Sequence, residues 1–219
     1  MSLLRTIEIH EDVMADNNKR AIEVRSYLKE NNVYMLNFMS SPGSGKTTTL
    51  TYLINALKDK KRIALMNVDI KTDKDARTIQ SKTNVRALQI NNGGLCHIDA
   101  DMTKRAIDDF GIEDTDLLIL ENIGNLVCPA EFDTGANKNI MLLSVPEGDD
   151  KPLKYPLMFS ICDCVLINKI DTLPYFDFDF EACKKRILDL NPKTKIFKIS
   201  AKTGEGMAEF IDWLLKEME

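Results

Sequence analysis

The stretch that most constrains this chain is Ser40-Ser-Pro-Gly-Ser-Gly-Lys-Thr-Thr-Thr49. An apolar run, Tyr34-Met-Leu-Asn-Phe-Met39, precedes it, and Leu50, Leu53, Ile54 and Leu57 follow at helical spacing. A strand, a glycine-bearing turn and a helix opening on Lys-Thr form the context of a phosphate-binding loop. Glycines at 43 and 45 let backbone N–H groups turn inward around an anion, and the helix N-terminus adds partial positive charge. The expected cradle is Gly43, Ser44, Gly45, Lys46, Thr47 and Thr48. Lys46 would reach the β- and γ-phosphates, and the Thr47 hydroxyl would ligate Mg²⁺. The pattern asks for Gly at its first position, where this chain has Ser40. That departure leaves the glycines nearest the phosphates in place. A ligand-free Gly/Ser surface turn is the bland alternative; Lys-Thr and both flanks argue against it.

Composition limits what surrounds this loop. At 219 residues the chain is long enough for one large domain, residues 1–219, burying about 70% of its unfolded surface. A net charge of −5 and no long basic cluster argue against a nucleic-acid partner. No apolar run approaches the roughly 18 residues of a membrane span, and no secretory signal pattern is present, so no membrane partner and a cytoplasmic location are expected. The five cysteines, Cys96, Cys128, Cys162, Cys164 and Cys183, are odd in number and widely spread, which favours reduced thiols or ligands over a disulfide framework.

Seven short apolar runs read as strands: 34–39, 62–68, 85–90, 117–120, 140–143, 164–167 and 195–199. Helical patterns separate them, at 98–110, 181–190 and 207–218 among others, and a short helix is expected through Ile79. An N-terminal extension of about 1–32 carries Val13, Ile22, Val24 and Leu28 amid charges, as an amphipathic helix would. Such alternation predicts an α/β fold: a mostly parallel sheet of about seven strands with helices on both faces. Right-handed crossovers place the loops that follow the strands along one ligand-binding edge.

Two motifs at that edge concern a base. Asn168-Lys-Ile-Asp171 follows the strand Val165-Leu-Ile167, and Ser200-Ala-Lys202 follows the last strand. The Asp171 carboxylate can accept from the N1–H and N2–H₂ edge of guanine, donors that adenine lacks. The Lys169 stem can cover a base face, Asn168 can tie this loop to the phosphate loop, and a backbone N–H of Ser200, Ala201 or Lys202 can meet guanine O6. Asn-Lys-x-Asp alone is a common tetrapeptide; three signals in register are not. Glu121-Asn-Ile-Gly124, at the end of the strand at 117–120, offers a carboxylate for Mg²⁺ or its water and the Gly124 N–H for a γ-phosphate. The order of these parts is similar to the P-loop GTPases. Glu in place of Asp, and the aspartates Asp69 and Asp75 after the second strand, point to the dimerising, SIMIBI-type branch. Asp69 and Asp75 are candidate Mg²⁺ contacts, with helix capping as their alternative role.

Cys96-His97 and Cys128, the last expected in the loop after Gly124, form a second constellation. Two thiolates and an imidazole suit Zn²⁺ or Ni²⁺. Three donors do not close a tetrahedral site, and zinc-finger spacing is absent. By spacing alone, a buried small thiol and a satisfied core histidine are the more common outcome.

The surrounding residues add a resemblance. Gly94-Leu-Cys-His-Ile-Asp-Ala100, Glu121-Asn-Ile-Gly-Asn-Leu-Val-Cys-Pro-Ala130, Glu147-Gly-Asp-Asp-Lys-Pro152, Asn168-Lys-Ile-Asp171 and Ser200-Ala-Lys-Thr-Gly-Glu-Gly206 closely resemble the HypB family, the nickel-incorporation GTPases of nickel–iron hydrogenase maturation. The Cys-Pro-His tripeptide of urease-maturation GTPases is not matched, since Ala130 follows Pro129. The resemblance implies a GTP-hydrolysing metallochaperone that cycles between GTP and GDP with Mg²⁺. It implies Ni²⁺ or Zn²⁺ at Cys96, His97 and Cys128, and a homodimer promoted by GTP, metal or both. A hydrogenase precursor and a companion nickel-insertion protein are the implied partners. Catalytic roles are expected for Lys46, Thr47, Glu121 and Asp75. No cysteine precedes Cys96 and only His10 precedes His97, so the nickel store of many relatives is not expected. Arg77 sits one position earlier than the family pattern places it. Cys162, Cys164 and Cys183 are expected to pack, Tyr175, Phe176 and Phe178 to pack a helix entrance, and Trp213 to anchor the last helix.

Overall fold

A computed structural model describes residues 9–69 and 73–219, with side chains from residue 14 onward. Seven strands form one sheet: β1 (Tyr34–Ser40), β2 (Ile63–Val68), β3 (Arg86–Ile90), β4 (Leu117–Gly124), β5 (Lys138–Ser144), β6 (Cys164–Asn168) and β7 (Lys195–Lys198). Their spatial order is β3-β2-β4-β1-β5-β6-β7 and every pairing is parallel. The helices are α1 (Ile9–Glu30), α2 (Lys46–Leu57), α3 (Lys74–Thr83), α4 (Ala100–Phe110), α5 (Cys128–Glu131), α6 (Lys151–Lys154), α7 (Pro156–Ser160), α8 (Phe180–Leu190) and α9 (Met207–Glu217).

Strands buried on both faces explain the continuous apolar runs. On one face α2, α3 and α9 contribute Leu50, Leu53, Ile54, Leu57, Ile79, Phe210 and Leu214 to a core with Leu36, Phe38, Leu65 and Leu166. The opposite face carries two cores. Ala21, Val24 and Leu28 of α1 pack with Ile107 of α4 on Met35, Met66 and Leu120. Phe159 and Ile187, from α7 and α8, pack on Met39, Leu143 and Ile167. In β1, Asn37 falls between Met35 and Met39 on this second face, so an amide occupies the seam. Its Nδ2 donates to Asn139 Oδ1 at 2.9 Å, and Asn122 Nδ2 donates to its Oδ1 at 3.0 Å. A buried chain of amides stays inexpensive only when bonded in this way.

Four expectations need correction. The strand expected over 117–120 continues through Glu121 to Gly124, because these residues keep pairing with β1 and β2. Cys128, expected in a loop, opens α5 with Pro129 in its first turn, where proline's missing N–H costs nothing. Ile22 is 63% exposed: the buried stripe of α1 runs through Asn17, Ala21, Val24 and Leu28, and Ile22 lies about 100° round from Ala21. Tyr175 and Phe176 are exposed rather than packed at a helix entrance; Phe178 takes that place against Phe180, ring centroids 4.9 Å apart. Cys162, Cys164 and Cys183 are buried as expected, and burial pushes all three thiols up, Cys183 to about 12. Trp213 packs beside Phe197 and Phe210. Arg77 makes an exposed ion pair with Asp73. Val13 and residues 70–72 of the aspartate-bearing segment lie outside the described side chains.

Candidate functional site

The loops after β1, β2 and β4 surround a cavity of about 580 Å³ lined by Ser40 to Thr48, Asn67, Asp69, Asp75 and Glu121 to Gly124. A second cavity, of about 310 Å³, is lined by Asn168, Lys169, Asp171, Ala201 and Lys202 and shares Gly45 and Thr48 with the first. The sheet edge thus unites the phosphate-loop residues with Asp69, Asp75, Glu121 and Gly124, and sets the base-motif residues beside them.

Gly45 shows why the loop needs glycine. Its φ is +101°, and a Cβ there would stand 2.6 Å from Asn168 Nδ2. That close approach lets Asn168 bridge three loops: its Nδ2 donates to Ser44 O at 2.9 Å, and its Oδ1 accepts from the Ala201 N–H at 3.1 Å. Lys169 Nζ donates to Gly43 O at 2.7 Å, and the Ser200 hydroxyl donates to Asp171 Oδ1 at 2.7 Å. The Ala201 N–H is therefore engaged by Asn168.

Lys46 and Glu121 both line the first cavity. Lys46 Nζ donates to Asn122 O; burial pushes this lysine's pKa down while Glu121, Asp75 and Asp69 oppose that shift. Burial pushes the Glu121 carboxyl up, opposed by Lys46 and by Asn67. Glu121 Oε2 accepts from Asn67 Nδ2 at 2.7 Å, whereas Oε1 is buried with no hydrogen-bond partner among the described residues. A buried carboxylate oxygen without a donor is costly. It suits a hard cation such as Mg²⁺, or that cation's water, beside the Thr47 hydroxyl. The motif pattern does not single out Asn67. Its signal is a lone amide at the C-terminal end of the apolar run Ile63-Ala-Leu-Met-Asn-Val68.

The thiol and imidazole groups lie outside both cavities. Cys96 is exposed and Cys128 half-buried. The neighbouring Cys128 thiol pushes the Cys96 pKa up, and the Cys96 Sγ lies 3.9 Å from His97 Nδ1. The His97 ring stacks on Phe132, centroids 3.8 Å apart and planes 5° from parallel. The three side chains are neighbours, yet among the described residues no three His, Cys, Asp or Glu groups converge on one metal-holding point. Two soft thiols and an imidazole still fit Ni²⁺ or Zn²⁺ in donor chemistry. Glu147-Gly-Asp-Asp-Lys-Pro152 has a structural account: Glu147 and Ser144 form a capping box, and Asp149 bonds Arg186 and the Asp179 N–H. Among the described residues no helix is long and apolar enough to cross a membrane.

A seven-stranded parallel sheet with a phosphate loop at one strand end defines a nucleotide-binding domain of the CobW/HypB/UreG class, whose family model matches residues 34–198. The signal recognition particle receptor FtsY from Elizabethkingia anophelis superposes with a TM-score of 0.58 at 15% identity, over 90% of this chain and 71% of that one, a likeness of fold alone. Within that class the chain belongs to the HypB family. Hydrogenase maturation factor HypB from Rhizobium leguminosarum is 45% identical over 98% of this chain and 71% of its own length. The hydrogenase/urease maturation factor HypB of Helicobacter pylori is 43% identical over 97% and 88%. The crystal structure of H. pylori HypB in complex with nickel superposes with a TM-score of 0.86 at 42% identity, over 93% of this chain and 95% of that one.

Proposed function

We propose that this chain is a GTP-hydrolysing metallochaperone, one domain over 1–219 with α1 as an extension, that delivers nickel during hydrogenase maturation. In this reading Gly43 to Thr48 cradle the phosphates, Lys46 neutralises the β- and γ-oxygens, and Thr47 with Glu121 holds Mg²⁺, which supplies charge stabilisation when bound. Asp69 and Asp75 complete the surroundings of that cation, and the Gly124 N–H meets the γ-phosphate. Asp171 reads the guanine edge, flanked by Asn168, Lys169, Ser200, Ala201 and Lys202. Cys96, His97 and Cys128 carry Ni²⁺, or Zn²⁺, as cargo; a second copy of the chain or water completes the coordination. The nickel in the H. pylori complex supports this cargo.

The observation that carries the reading is the continuity of β4. Glu121 borders the phosphate-loop cavity, Gly124 packs on Pro42 of that loop, and Cys128 opens the next helix. Seven residues span at most roughly 25 Å, so movement at the γ-phosphate reaches the Cys128 thiol through one short segment. A companion insertion protein and a hydrogenase precursor are the receiving partners. The H. pylori relative is named for both hydrogenase and urease maturation, which makes a second nickel enzyme the alternative client.

Ni²⁺ and Zn²⁺ affinities measured with GDP and with a non-hydrolysable GTP analogue, with mass tracked in parallel, test the proposal. A nucleotide-dependent change in affinity or stoichiometry is expected. Identical binding in both states leaves a nucleotide-binding protein with an uncoupled metal site.

A further inference from the structure

The two loops that carry the thiols and the imidazole meet at one side chain of α1. Asn17 is 8% exposed, on the buried stripe of that helix. Its Oδ1 accepts the Ala100 N–H at 2.9 Å, and its Nδ2 donates to Asp133 O at 3.0 Å. Ala100 is the first residue of α4, three positions after His97, and its N–H is one of the helix-start donors with no intrahelical acceptor. Asp133 lies five positions after Cys128, just past α5. One amide therefore spans from the Cys96-His97 loop to the Cys128 segment.

Neighbouring contacts hold that amide in register. Arg25, two turns along α1, donates from Nη2 to both Asp133 carboxylate oxygens at 2.6 and 2.7 Å, and from Nε to Ala136 O at 3.1 Å. Gly135 admits the helix: a Cβ there would stand 2.5 Å from Val24 Cβ. Asp99 caps α4 by accepting the Met102 N–H at 2.8 Å, which fixes the chain immediately after His97. The His97–Phe132 stack then joins the same two loops on the donor side.

We infer that Asn17 is a positioning residue for the metal cargo, setting the separation of Cys96 and His97 from Cys128 by bonding both loops at once. This rests on the proposal that those three side chains bind the cargo. Groups hydrogen-bonded directly to a metal ligand typically change affinity by about 10–100-fold when lost. Asn17 bonds the segments that carry the ligands rather than a ligand itself, so the lower end of that range is expected. Asn17→Leu removes both bonds. Asn17→Asp keeps the acceptor for Ala100 and sets a carboxylate oxygen against Asp133 O.

The test titrates full-length variants with Ni²⁺ alone and Zn²⁺ alone against a chromogenic chelator, and records the thiolate-to-nickel absorption band. Both Asn17 variants are expected to lose about tenfold or more in affinity and to shift that band, with GDP affinity unchanged. Leu28→Ala, in the buried stripe of α1 but away from both loops, controls for helix stability and should leave affinity and band as in the parent. Parent-like binding by the Asn17 variants, while Cys96→Ala and Cys128→Ala lose metal, overturns the inference alone. Equal losses in Leu28→Ala also overturn it, since the helix would then act only through general stability. Parent-like binding by the cysteine variants removes the cargo site, and the inference with it.

Discussion

The nucleotide edge and the thiol-bearing loops lie on the same sheet and differ in how far they are built before any ligand arrives. At the nucleotide edge several expected polar side chains are held by another part of the fold: Asn168 by two loops, Lys169 by Gly43, Asp171 by Ser200, Lys46 by Asn122 and Glu121 by Asn67. At the thiol loops Cys96 is exposed, His97 rests on a ring, and no three donors converge among the described residues. The first set stands at strand ends of a rigid sheet; the second is one connection further out. Preorganisation lowers the entropy lost on binding. Under the proposed function a nucleotide would meet a preformed site, whereas cargo binding would have to draw its donors together. That asymmetry suits cargo that has to be released.

The largest test of this comparison is Asp171→Asn. A site built around a carboxylate leaves it unpaired with the wrong base, which is the strong form of discrimination. Preference for GTP over ATP, measured by competition, is expected to fall by about a hundredfold or more. Affinity for xanthosine triphosphate should rise, because an amide can donate to the second carbonyl of xanthine. An unchanged GTP-to-ATP ratio would remove the guanine assignment.

Cys128→Ala probes the other region. Losing a direct donor is expected to weaken Ni²⁺ binding by more than the about 10–100-fold of an outer partner. GDP affinity should stay at the parent value, because Cys128 lines neither nucleotide cavity. Loss of both activities together would mean that the two regions are one structural unit and that the contrast drawn above is false.

What the sequence made legible follows the same division. The phosphate loop, the base motifs and all seven strands are local patterns: apolar runs of strand length with glycine, lysine or asparagine at their ends. The Asn168 tie to the phosphate loop was legible across the chain, but most other contacts between distant residues left no signal in the pattern. The extension of β4 through Glu121 depends on pairing with β1 and β2, and no local propensity announces it. Exposure of Ile22 against burial of Asn17 reverses a hydropathy reading, because the α1 stripe is fixed by α4 and the Asp133 turn. Cys96, His97 and Cys128 were visible as chemistry; the stack and the amide that bring their loops together were not.

Asn67→Ala is a smaller perturbation at the preformed edge. It removes the donor to Glu121 Oε2 without touching the phosphate loop. The Mg²⁺ concentration needed for tight nucleotide binding is expected to rise by about tenfold, with affinity in a chelator unchanged. An unchanged Mg²⁺ midpoint would mean that Glu121 is held well enough by β4 alone.

The smallest expected effect belongs to Phe132→Leu, and it sharpens the comparison most. Stacked aromatic pairs add about 0.5–1.5 kcal/mol beyond area burial, which corresponds to about two- to tenfold in an equilibrium constant. If the stack only packs the loop, the variant loses that much stability and binds Ni²⁺ like the parent. If the flat contact holds the imidazole for coordination, Ni²⁺ affinity falls by about two- to tenfold while GDP affinity and the Asp171-dependent base preference do not move. The second outcome is expected, because Phe132 leads directly into Asp133, the acceptor of Asn17, and lies four positions after Cys128. A donor set left open in the free chain is the place where a single ring contact, too weak to matter at the nucleotide edge, can decide affinity.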